Sequence, residues 1–407
     1  MARHFHEWVE PETGRRVVRL SDETGSTSLY FNVNGYTPEG DILVISTLRG
    51  LNKVDMDTLE SVELFRTERP FKFLFVGLKY RRAYYQTLDD NTVCYVDIDT
   101  GNIREVARVD RGDIQAINCD ETLLSGVETD PGSTSEILRL FENRDRATDQ
   151  FDYRANWPDG TPMSYADAKE VRLNQRLKAR IPMKMFVIET ESEKRRDVYE
   201  STDWLNHLLF SPTDPNLLMF CHEGNWHCVD RLWLLDIRNP QPTKIHHRMM
   251  NMEIAGHEWF SRDGRTIWYD LQTPRGETFY VAGYHVATGQ RRWYHVEHRD
   301  HWSVHYHSSP KGDLFCGDGG DEDMVGRGHD GKWLYLFTPR DIPDVAGLTA
   351  DDASELIQPG YFDTTRLVDM RNHDYRLEPN AHFSPDGRWV VFRGNMEGQI
   401  HTYAVEL

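Results

Sequence analysis

Long apolar runs are missing from this chain of 407 residues. None approaches the roughly 18 consecutive positions that a membrane-crossing helix needs, and the opening Met1-Ala2-Arg3-His4-Phe5-His6-Glu7-Trp8 lacks the apolar stretch of a secretory signal. Cysteine is scarce as well. Cys94, Cys119, Cys221, Cys228 and Cys316 are odd in number and widely spaced, with no C-x-x-C pair, which argues against a disulfide framework, a zinc knuckle or a redox couple. Reduced thiols and a cytoplasmic location are expected. Basic charge is short: 47 Lys and Arg face 66 Asp and Glu, a net charge of −19 with no long run of one sign. That balance disfavours a general grip on nucleic acid or on an anionic membrane. What the chain does have is 39% hydrophobic and 12% aromatic residues, enough to exclude disorder for its bulk.

Length alone would suggest two or three domains, but an internal repeat changes that reading. One half of the repeat is an apolar or aromatic residue, a polar turn and a β-rich run. It occurs at Tyr36-Thr37-Pro38-Glu39-Gly40, Phe210-Ser211-Pro212, Phe260-Ser261-Arg262-Asp263-Gly264, Ser309-Pro310-Lys311-Gly312 and Phe383-Ser384-Pro385-Asp386-Gly387. The other half is a strand that often ends in an acidic turn, as in Tyr95-Val96-Asp97-Ile98-Asp99-Thr100-Gly101 and Leu232-Trp233-Leu234-Leu235-Asp236. Seven such strands can be counted, most of them about 42 to 53 residues apart, close to the length of a four-stranded propeller blade. The expected fold is all-β, a single seven-bladed β-propeller over residues 1–407 with a helical insertion near one face. Two longer intervals locate insertions. The larger, at about 141–180, reads as helical around Tyr165 to Leu173, and the smaller, at about 340–365, around Thr349 to Ile357. An N-terminal strand at Arg16 to Leu20 is expected to complete the last blade and so remove its exposed edge.

Propellers carry chemistry on loops around the central channel. Polar clusters fall at such places in the second half of the chain: Trp204-Leu205-Asn206-His207, Phe220-Cys221-His222-Glu223-Gly224, His257-Glu258-Trp259-Phe260, His305-Tyr306-His307 before Gly317-Asp318-Gly319, and His373 to Phe383. Any one imidazole has a bland reading as a bond to a neighbouring blade's backbone. Several imidazoles and carboxylates at equivalent positions of adjacent blades read instead as a binding or catalytic site.

In order and approximate spacing these clusters resemble the oligogalacturonate lyases, polysaccharide lyase family 22, with Leu377-Glu378-Pro379-Asn380 marking a variant branch. The resemblance implies β-elimination on short uronate oligomers, with a Mn²⁺-type cation on the uronate carboxylate and a His removing the C5 proton. It places His222 at the catalytic base and His257 at a metal ligand, with His207, His305 and Arg180 toward the acidic oligosaccharide substrate. Where the family has a Gln and a His-x-His as further ligands, this chain has Tyr375, Glu378 and Asn380. Glu378 and Asn380 are then the expected metal ligands beside His257, and an oxygen-rich set opens the site to Ca²⁺ or Mg²⁺ as well as Mn²⁺. Two alternatives are the same elimination on another uronate glycan and a non-catalytic propeller that binds protein or peptide.

Overall fold

The turns between strands are built by short polar side chains that satisfy the backbone locally. In Ser261-Arg262-Asp263-Gly264 the Ser261 hydroxyl donates to Asp263 (2.6 Å) and the Gly264 amide to the Ser261 carbonyl (2.8 Å). Gly264 takes φ 69°, a left-handed conformation that a side chain disfavours. Ser309–Gly312 and Ser384–Gly387 close with the same Gly amide to Ser carbonyl bond. The acidic turns work differently, the Asp97 carboxylate capping the Thr100 amide at 2.8 Å, so that the chain reverses without an unpaired donor.

The computed structural model describes residues 6–130, 144–145, 150–151, 155–321, 324–326, 329, 331–345, 347–349 and 351–407. Almost all regular structure is β, and the chain divides into two compact units. One unit comprises Glu23–Leu29 and Val33–His247. It holds a three-stranded sheet (Ile42–Thr47, Gly50–Asp55, Ser61–Arg66) and three four-stranded antiparallel sheets, which begin at Phe71–Val76, Asp113–Ile117 and Trp204–Phe210. Their cores are aliphatic and aromatic side chains from alternate strand positions, among them Phe186, Leu205, Phe220 and Leu235.

The second unit comprises Met1–Asp22, Tyr30–Asn32 and Arg248–Leu407. Four antiparallel strands from Ile254–Phe260 to Arg291–His295 join, by a parallel pairing of Arg291–His295 with Gln358–Asp369, a second antiparallel set that ends at Tyr306–Ser308. A five-stranded sheet pairs Arg16–Arg19 with His401–Glu406, Val17 lying opposite Val405, so the strand expected at the N-terminus does join the C-terminal one. The larger insertion falls between Leu123–Thr129 and Met183–Glu189. Its residues 131–143, 146–149 and 152–154 lie outside the described ones, and the helical reading corresponds to the helix Tyr165–Ala179. Ser164 caps that helix by accepting from the Asp167 amide. In the smaller insertion the paired strands Trp333–Asp341 and Gln358–Asp369 run further than expected, and the helical reading shrinks to a single 3₁₀ turn, Ala353–Glu355. Among the described residues no helix is long and apolar enough to cross a membrane, and all five cysteines are free.

Candidate functional site

His222 lies near the end of the strand Leu217–Glu223, its backbone amide bonded to the Arg231 carbonyl. The imidazole is enclosed by the rings of Tyr199, Phe220 and Trp233 and is only 6% exposed. Its Nδ1 meets Asp203 Oδ2 at 3.1 Å, while Nε2 lies 3.4 Å from the Tyr199 hydroxyl. Asp203 sits in the turn between the strands Arg195–Ser201 and Trp204–Phe210. Its other oxygen accepts from Arg180, the residue that ends the insertion's helix in a left-handed conformation, φ 47°. Burial pushes the His222 pKa down, and Arg180 adds to this, against the upward pull of Asp203 and Asp230. At neutral pH the ring is therefore uncharged. An Nδ1 proton shared with the Asp203 carboxylate leaves the lone pair on Nε2, the form a general base requires.

One residue on, Glu223 anchors a second cluster. Arg176 from the helix donates to it at 2.7 Å and Asn206 at 2.9 Å, and His207 Nε2 lies 4.0 Å away. Burial alone would raise this carboxyl's pKa. Arg176, with His207, Arg231 and Asn206, outweighs that effect and holds it down at about 2. The arrangement binds the helix to the strand that carries His222.

In the other unit His257 and His305 stand edge to face, with ring centroids 4.7 Å apart. Each Nδ1 is held by a buried carboxylate, His257 by Asp270 at 3.0 Å and His305 by Asp318 at 2.7 Å. Asp318 also receives the backbone amides of His305 and Asn380, and its carbonyl accepts the Tyr375 hydroxyl. Nε2 of His305 meets the Tyr30 hydroxyl at 3.1 Å and lies 3.7 Å from a Glu378 oxygen. The Asn380 amide side chain bonds the Phe31 amide and the Glu378 carbonyl.

A carboxylate on Nδ1 is the usual partner of a metal-ligating imidazole, and Glu378 supplies an oxygen donor, so the donor types suit a divalent cation. Among the described residues, however, no group of three or more His, Cys, Asp or Glu side chains is placed to hold a metal ion. The set is right in kind and open in geometry.

Backbone strain singles out the same positions. Among the described residues nine non-glycine residues have positive φ, and four of them are Arg180, His207, His257 and Asn380. His207 and His257 each occupy a β-bulge at the start of their sheets, between Asn206 and Leu209 and between Gly256 and Trp259. Such bulges turn a side chain out of the ladder, and the strain they carry collects at functional sites. Of the residues named from sequence, the structure thus groups Arg180 with His222, sets His207 beside Glu223, and brings His257, His305, Glu378 and Asn380 together. Asp203, Tyr199, Asp270 and Tyr30 were missed. Asp203 had a sequence signal, an acidic turn residue directly before the Trp204-to-His207 cluster, but the others lie in ordinary strand or loop text.

No family model matches the chain. It is 23% identical over 217 residues to an oligogalacturonide lyase of Pectobacterium atrosepticum, which is 52% of each protein. The chain thus spans about half the length of the curated relatives it matches. In fold it is similar to an oligogalacturonate lyase solved in complex with manganese, with a TM-score of 0.72 at 19% identity, covering 99% of this chain and 96% of that one. It is more distantly similar to the Cps50 (Swd1) β-propeller domain of Myceliophteria thermophila, with a TM-score of 0.52 at 11% identity over 93% and 96% of the two chains. The resemblance read from the ordered clusters is borne out, in sequence over half the chain and in fold over nearly all of it.

Proposed function

We propose, starting from the relationship to the oligogalacturonate lyases, that this protein is a lyase that cleaves short oligogalacturonides by β-elimination, with His222 as general base. The observation that carries the reading is the pairing of the buried His222 with Asp203, with Arg180 on the same carboxylate. The reaction breaks the C5–H bond of a uronate, whose proton passes to Nε2 of His222. The electron pair forms the C4–C5 double bond, and the C4–O bond breaks with its electron pair on the oxygen of the departing sugar, which takes a proton from solvent. That C–H is far too weakly acidic for an imidazole unless the negative charge spreading onto the uronate carboxylate is stabilised. Arg180 is this chain's own candidate for that task, and its side chain is half-exposed. A divalent cation, manganese in the related structure, would be held by His257, Glu378 and Asn380, and it would supply the rest of that neutralisation.

The same reading takes the antiparallel sheets as seven blades of one propeller, the eight-stranded sheet counting as two, and places the protein in the cytoplasm. The test is absorbance in the ultraviolet band of unsaturated uronates during incubation with short galacturonides, with and without Mn²⁺ or chelator. A rise that is lost with His222→Ala in a folded protein is the expected result. No rise on galacturonides or on a panel of other uronides would sink the reading and leave a non-catalytic propeller.

A further inference from the structure

The turn Ser201–Asp203 is placed to govern the chemistry of two side chains at once. Asp203 Oδ2 takes Nδ1 of His222 at 3.1 Å, and Oδ1 takes the Arg180 guanidinium. The backbone of the turn is itself held, since the Asp203 amide donates to the Ser201 hydroxyl at 3.0 Å. Packing immobilises the imidazole between aromatic rings, so its rotation is limited, but packing does not choose which nitrogen carries the proton. We infer that Asp203 is a positioning residue: it fixes the His222 tautomer with Nε2 unprotonated and parks Arg180 beside the base. This deepens the lyase reading and rests on it.

The other ionisable neighbours cannot do the same work. Tyr199 lies on the Nε2 side, and Asp230 is engaged by Lys244 at 2.6 Å. Asp203 is therefore the acceptor that the Nδ1 proton finds. Replacing it with Asn keeps the shape and offers the ring an amide in place of a carboxylate, which removes the electrostatic preference for the Nδ1–H form. Arg180 at the same time loses its anionic partner.

The experiment compares Asp203→Asn and Asp203→Glu with the wild-type chain. Nitrogen-15 spectra of histidine-labelled protein, with His222 assigned by its loss in His222→Gln, report tautomer and titration without any need for activity. Asp203→Asn is expected to move His222 toward the Nε2–H tautomer and to lower its midpoint. In the elimination assay it is expected to reduce kcat by about 100-fold or more, with a much smaller change in KM. Asp203→Glu is expected to restore part of both. An unchanged His222 spectrum in folded Asp203→Asn overturns the inference, as does a kcat equal to wild type. If the wild-type chain eliminates no uronate at all, the lyase reading fails, while the spectra still decide whether Asp203 sets the tautomer.

Discussion

Asp318 shows how one side chain organises a cluster. Fully buried, it orients His305 through Nδ1, receives the amide of Asn380, and through its carbonyl ties down Tyr375. Tyr375 stands where the resemblance puts a ligand in the family, yet its hydroxyl is spent on this bond. Of the substituted positions, Glu378 is the one whose carboxylate approaches a His305 nitrogen. Glu378→Ala should therefore weaken manganese binding by about tenfold or more, measured as metal content after dialysis at fixed free Mn²⁺; equal content would remove Glu378 from the donors. The histidines were legible in the sequence because imidazoles recur at matching places in successive repeats. Their partners were not, because Asp203 and Asp270 meet them across a hairpin whose register only the folded sheet fixes, and Tyr30 reaches His305 from 275 positions away. A lone Asp on a strand reads the same whether it faces solvent or orients a base.

At the scale of elements, the helix Tyr165–Ala179 is instructive. Its sequence is mostly polar, and among its described side chains only Ala168, Leu173 and Arg176 are buried. So little apolar surface cannot dock the helix firmly, which leaves much of the work to the Arg176–Glu223 pair, with side chains 9% and 12% exposed. Arg176→Ala strands the Glu223 carboxylate, and about 3–5 kcal/mol of stability should be lost. A fall in the urea midpoint at pH 7, with most of the loss recovered when Glu223→Gln is added, checks this. A midpoint within error of wild type would show that the helix is held by other contacts. Helix and strands alike were readable from periodicity and turn residues, since both are local. The extra length of the paired strands around the smaller insertion was not, because Pro359-Gly360 reads as a break although Pro359 pairs with Trp293 and Gly360 with Asp341 and Tyr294.

For the molecule as a whole, acidity should act through a buried imidazole outside the proposed chemistry. His373 is 2% exposed, bonded to the Leu377 carbonyl through Nε2 and to the Asn395 amide through Nδ1. Burial depresses its pKa to about 4, outweighing the raising effects of the Leu377 bond, Asp318 and Asp374, while Lys332 lowers it further. The unfolded chain, with an ordinary imidazole near 6.5, binds the proton first. Stability is thus full above about pH 6.5 and falls as pH drops from there toward about 4, by about 1.4 kcal/mol per pH unit, then levels off for this group. Urea midpoints at pH 7 and pH 5 should differ, and His373→Gln should shrink the difference; an unaltered slope would assign the acid sensitivity elsewhere. The five-stranded sheet carries a consequence for synthesis. Its strand Arg16–Arg19 is made long before its partner His401–Glu406. That sheet can form only after the intervening chain has been synthesised, so a chain cut short before His401 keeps an unpaired Val17-Val18 edge on offer to chaperones or to other nascent chains.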